Sequence, residues 1–122
     1  MPARLRLADP LEVAAALDRH AAGSAGTDDL RLLTKHYLAA LQELAPGRSV
    51  EVRVPPYAAV QVVEGVRHTR GTPPAVVETD AETWLALATG RLSWTDAERA
   101  GSIRASGERA DLSAYLPLES AV

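Results

Sequence analysis

The chain contains no cysteine, no asparagine and no phenylalanine. Without cysteine there is no disulfide framework and no thiol chemistry. Without asparagine there is no acceptor for N-linked glycans. Aromatic residues make up 4% of the chain against an apolar share of 47%, so Ala, Val and Leu must fill the interior. The two Trp and three Tyr gain weight from their scarcity. Long apolar runs are missing too, and none approaches the roughly 20 residues that span a bilayer. Met1-Pro2-Ala3-Arg4 leads into closely spaced charges rather than the apolar stretch of a secretory signal, so the cytosol is the expected compartment. The formal net charge of −3 speaks against nucleic acid as a partner, because phosphate neutralisation needs a basic surface.

Recognisable catalytic and metal motifs are lacking as well. His20, His36 and His68 are too far apart in the sequence for a spaced zinc-ligand set. The Gly-Xaa-Ser-Xaa-Gly nucleophile elbow is absent. Gly65 and Gly71 lack the strand-before, helix-after context of a dinucleotide fingerprint. No catalytic residue, metal or cofactor is indicated, and the chain reads as a non-enzyme.

What is present reads as one domain over residues 1–122, long enough to bury a core. Asp9-Pro10-Leu11-Glu12 carries a cap, a first-turn proline and a capping-box acid, and starts a helix over 9–22. Val13, Leu17 and Ala21 share one face of it. Thr27, followed by Asp28 and Asp29, caps a second helix over 27–45. There Leu30, Leu33, Tyr37, Leu41 and Leu44 form a stripe that packs on a sheet. At Ser49 the period changes from helical to alternating. Val50, Val52 and Val54 define a strand with one wet face, Pro55-Pro56 ends it, and Tyr57–Val63 forms another. After a connection over Glu64–Pro74, a short strand follows at Ala75–Glu78. The expectation for 49–78 is a three-stranded antiparallel meander. Thr79-Asp80-Ala81-Glu82 reads as a capping box for the next helix, which is apolar all round from Trp84 to Ala88. A short helix begins at Ser93 or Thr95, a strand spans 102–106 with Ile103 and Ala105 inward, and a closing helix covers Asp111–Leu116.

Two stretches carry a resemblance. Thr79-Asp80-Ala81-Glu82-Thr83-Trp84-Leu85-Ala86-Leu87-Ala88-Thr89-Gly90 looks like the acidic-start, aromatic-containing helix of sterol-carrier-protein domains. The run from Gly101-Ser102-Ile103-Arg104 through Ser106-Gly107 to Asp111-Leu112 is similar to that family's closing strand element. Arg53-Val54-Pro55-Pro56 and Arg67-His68-Thr69-Arg70-Gly71-Thr72-Pro73-Pro74 resemble its short, stand-alone bacterial branch, of the actinobacterial type. The resemblance covers roughly residues 48–118. It implies an α+β, two-layer fold: a mixed, mostly antiparallel sheet of about five strands covered by helices. It also implies an apolar tunnel for a lipid or another hydrophobic small molecule.

The residues placed in such a ligand site are Val60, Val62, Trp84, Leu87, Leu92, Trp94 and Tyr115. Small-molecule sites are commonly apolar pockets with a few polar groups, but the same residues can fill a plain core. Each Trp needs a partner for its N–H if buried. Arg67, His68 and Arg70 around Gly71 can form an anion site, since guanidinium matches phosphate or carboxylate in bidentate fashion. They can equally be a solvated connection. Two functions therefore stay open. One is a carrier with an internal cavity. The other is a non-catalytic interaction or accessory domain with a filled core, homodimeric or working beside an enzyme, as related domains do when attached to thiol-dependent isomerases. The volume beneath the Trp84 helix discriminates between them.

Overall fold

The computed structural model describes residues 4–65, 75–107 and 110–118. The chain runs α1 (Pro10–Ala21), α2 (Thr27–Leu44), β1 (Val50–Val54), β2 (Ala58–Val62), β3 (Ala75–Thr79), α3 (Ala81–Ala88), α4 (Trp94–Arg99) and β4 (Ile103–Ser106). A single 3-10 turn at Ser113–Tyr115 follows. Among the described residues the sheet has four strands in the order β2-β1-β3-β4, one fewer than the resemblance implies.

The helix starts follow from local hydrogen bonding. Asp9 caps α1 by accepting the Leu11 N–H at 2.8 Å, with Pro10 in the first turn. Gly26, not Thr27, occupies the cap of α2, and the Asp29 carboxylate reaches back to its N–H. At α3 the cap is Asp80, whose carboxylate takes both the N–H and the hydroxyl of Thr83, because Thr79 is still the last residue of β3. Ser93 caps α4.

The expected meander is corrected by the pairing. β1 and β2 form an antiparallel hairpin, with Val52 opposite Val60. β3 does not extend that hairpin but lies on the other side of β1, parallel to it, with Val52 opposite Val77. The ladder begins where the Ala75 N–H donates to the Ser49 carbonyl at 3.0 Å. Alternation of apolar residues is identical in the two arrangements, so it could not choose between them. β4 then pairs antiparallel with β3, bringing Arg104 opposite Glu78.

One face of this sheet is dry. Val50, Val52 and Val54 of β1, Val60 and Val62 of β2, and Ala75, Val77 and Thr79 of β3 are buried. The other face carries Glu51, Arg53, Gln61, Glu78 and Arg104, half-buried or exposed, with an ion pair between Arg53 and Glu51. The helices cover the dry face: α2 packs against β2, and α1 and α3 both pack against α2. Leu33, Tyr37, Leu38 and Leu41 supply the inward stripe of α2. Leu44, expected in that stripe, is exposed on the last turn. In α1 the buried pair is Val13 and Ala16, and Ala21 is exposed because the helix ends there and the chain turns away.

Two further expectations are corrected. Ala105 lies opposite Val77, hence on the dry side, yet is exposed, because β4 is an edge strand whose covering ends at Ile103. The closing helix shrinks to one 3-10 turn, started by Asp111 accepting the Ser113 N–H at 2.8 Å. Leu116 is extended, as a residue preceding proline is driven to be, and Pro117 permits no continuation.

Candidate functional site

The all-apolar helix α3 resolves as a buried element. Trp84, Leu85, Leu87 and Ala88 are closed to solvent, and only Ala86 on that run is half-exposed. Val60, Val62, Trp84, Leu87 and Trp94 join one hydrophobic cluster, with Leu92 and Tyr115 packed partly buried against it. The residues expected to line a ligand site therefore belong to, or pack against, the general core, which also takes in Val13, Leu33, Val50 and Val77 from the other elements. Val62 keeps 0% of its surface, Trp84 1% and Leu87 2%. A void wide enough for water would leave exposed area on its lining, so the space against these side chains is filled. Toward Leu92, Tyr115, Leu116 and Leu118 the cluster reaches the surface. Among the described residues of the C-terminal segment that forms this border, the one regular element is the 3-10 turn. It docks on the end of α3 through the Leu118 N–H to the Ala88 carbonyl at 2.9 Å.

The two tryptophans differ in a way the sequence could not show. The Trp84 indole N–H donates to the Thr34 carbonyl of α2 at 3.3 Å, fifty residues earlier in the chain. Trp94 is 6% exposed, and its indole nitrogen is buried with no acceptor among the described residues. Two acceptor-capable atoms, Thr34 Oγ1 and Gln42 Oε1, are also buried without partners.

The proposed anion residues Arg67, His68 and Arg70 lie outside the described residues. Of the other histidines, His20 Nε2 meets Glu82 Oε1 at 2.6 Å, tying α1 to α3. His36 Nδ1 accepts the Ala8 N–H at 3.0 Å and stacks edge-on against Tyr37. Both serve to hold the N-terminal region to the body. No group of three or more His, Asp or Glu able to hold a metal occurs among the described residues. None of the described helices is long and apolar enough to cross a membrane. An open groove between α1 and α2 is lined by Leu11, Glu12, Ala15, Arg19, Asp28, Asp29 and Leu32. None of the residues expected at the ligand site lines it. Beside it, Arg19 makes a two-pronged contact with Asp29, Nη2 to Oδ1 at 2.7 Å and Nε to Oδ2 at 2.9 Å. The hydrogen bonds from Arg19 are the main cause that lowers the Asp29 carboxyl below its ordinary value.

A family model described as a bacterial SCP ortholog matches residues 27–118 of the 122, which is everything from the start of α2 to the end of the C-terminal segment and leaves out α1. No curated protein matches the chain.

Proposed function

Since the chain belongs to the bacterial sterol-carrier-protein family, we propose that it is a non-catalytic module that takes up a lipid-like small molecule at the cluster around Trp84 and Trp94. The observation that supports this reading is that Val60, Val62, Trp84, Leu87 and Trp94 belong to one apolar core, which reaches the surface at Leu92 and Tyr115. The ligand enters at that border, where the C-terminal segment is joined to α3 by little regular structure. Segments of low hydrogen-bond density open at the lowest cost. Burying a lipid chain at about 25 cal/mol per Å² returns several kcal/mol against the cost of that opening. The role is carriage or presentation, in the cytosol, with no covalent chemistry by this chain.

The closure of Val62, Trp84 and Leu87 favours a second reading. In it the core is permanently filled, and the domain acts through its surface, as a homodimer or beside an enzyme. Calorimetric titration of the full chain with hexadecanoate, hexadecanol and hexadecane separates the two. The carrier reading requires saturable binding of at least one of these at micromolar concentration or below, and altered affinity in Trp84→Ala. Flat titrations throughout, with Trp84→Ala merely less stable, establish the filled interaction module instead.

A further inference from the structure

Trp94 leaves one account open. An indole N–H is a donor and nothing else, so only an acceptor can satisfy it. Orphaned buried N–H groups are rarer than under-used carbonyls, and an unmade bond of this kind is costly. Trp84, in the same cluster, has its acceptor in the Thr34 carbonyl, so the fold supplies backbone oxygen where it needs one. Trp94 stands on the first turn of α4 with Ala97 buried one turn on, and its nitrogen is buried without a partner among the described residues. A lone water is a poor substitute, since a buried water typically requires two to four polar partners.

We infer that the Trp94 Nε1–H is the polar anchor of the ligand site and receives an oxygen acceptor carried by the ligand. This rests on the carrier reading and narrows it. The molecule is an amphiphile with an apolar body and an acceptor oxygen, carboxylate, carbonyl or hydroxyl, and a pure hydrocarbon lacks what the site asks for. A cationic or donor-only head group is excluded by the same chemistry. Trp94 is in this sense a specificity residue: it selects the head group while the cluster selects the chain.

The test compares hexadecanoate, hexadecanol and hexadecane on the full chain and on Trp94→Phe, with Trp84→Phe as the matched control. Trp94→Phe is expected to weaken binding of the two oxygen-bearing ligands by roughly five- to twentyfold more than it weakens binding of hexadecane, the size of one hydrogen bond to an otherwise unpaired donor. Trp84→Phe is expected to affect all three alike. Should Trp94→Phe fail to fold, the native chain still answers. The Trp94 indole proton resonance moves downfield on saturation with hexadecanoate or hexadecanol and stays in place with hexadecane. Equal losses for all three ligands, no loss for any, or an indole resonance indifferent to the head group overturns the anchor and leaves the carrier reading standing. Wild-type protein that binds none of the three overturns both.

Discussion

Ser49 directs two donors at one acceptor: its backbone N–H and its hydroxyl meet the carbonyl oxygen of Val63 at 3.0 and 2.6 Å. Val63 is a β-branched residue at φ 67°, a conformation such residues rarely adopt. Its N–H is fixed in turn by the Ala45 carbonyl at 2.6 Å. The connection from α2 into β1 thus holds the end of the β1–β2 hairpin in a strained turn. A Cβ at Gly47 would collide with the Val63 carbonyl.

Two substitutions test this corner. Ser49→Ala removes one of the converging donors and is expected to cost about 0.5–1.5 kcal/mol. Gly47→Ala adds a steric conflict to a backbone at φ 153° and is expected to cost more, about 2 kcal/mol or above. Urea midpoints measure both. Equal midpoints would show that the turn relaxes freely around an added methyl.

The inward stripe of α2 gives a second expectation. Leu33 and Leu41 are fully buried, and Leu→Ala at either is expected to cost about 2–5 kcal/mol through lost contact and cavity formation. Glu43, exposed on the same helix, should tolerate Ala within about 0.5 kcal/mol. Comparable denaturation of Leu41→Ala and Glu43→Ala would contradict the assigned face.

The tryptophan pair gives a third. Phe replaces both indoles with similar loss of volume, but Trp84→Phe also removes a made hydrogen bond, whereas Trp94→Phe removes a donor that is unpaired in the ligand-free protein. Trp84→Phe should therefore be the more destabilising, by about 1–2 kcal/mol. Thermal melts of the two variants in ligand-free buffer decide it, and the reverse order would mean that Trp94 has an acceptor of its own.

Acid sensitivity gives the fourth. Arg19 lowers the Asp29 carboxyl below its ordinary value, so the folded state holds the charged form more tightly than the unfolded chain does. The sign follows from linkage: the contribution is fully present above the ordinary carboxylate value and is lost as pH falls through the lower folded one. Asp29→Asn should flatten that part of the acid limb and leave the neutral-pH melting temperature only slightly changed, since Arg19 is half-exposed. Superimposable acid limbs in wild type and Asp29→Asn would show that the pair does not act on folding.

Legibility in the sequence followed the range of the interaction. Asp9-Pro10 and the Val50–Val54 alternation are local signals, and both elements stand where those residues place them. The side of β1 on which β3 docks depends on pairing across more than twenty residues, and no local pattern carries it. The same holds for Ala105, whose spacing says inward but whose edge position leaves it uncovered. At the candidate site, scarcity was enough to single out Trp84 and Trp94, and both are buried in the core. That one indole would find Thr34 and the other no acceptor among the described residues is a property of packing, which the residues beside either Trp do not signal.

The strand order has a consequence for synthesis of the chain. β1 is an interior strand, yet its two edges are sealed at different times, by β2 directly through the hairpin and by β3 only once residues 75–79 exist. Until then a valine-rich strand presents an unpaired row of N–H and C=O groups, the template on which chains aggregate. A nascent or truncated chain ending at residue 65 would carry that template uncapped, and its natural partner would be the same strand of another copy. The parallel pairing of β3 on β1 that the sequence conceals is thus also what protects the growing chain from aggregation.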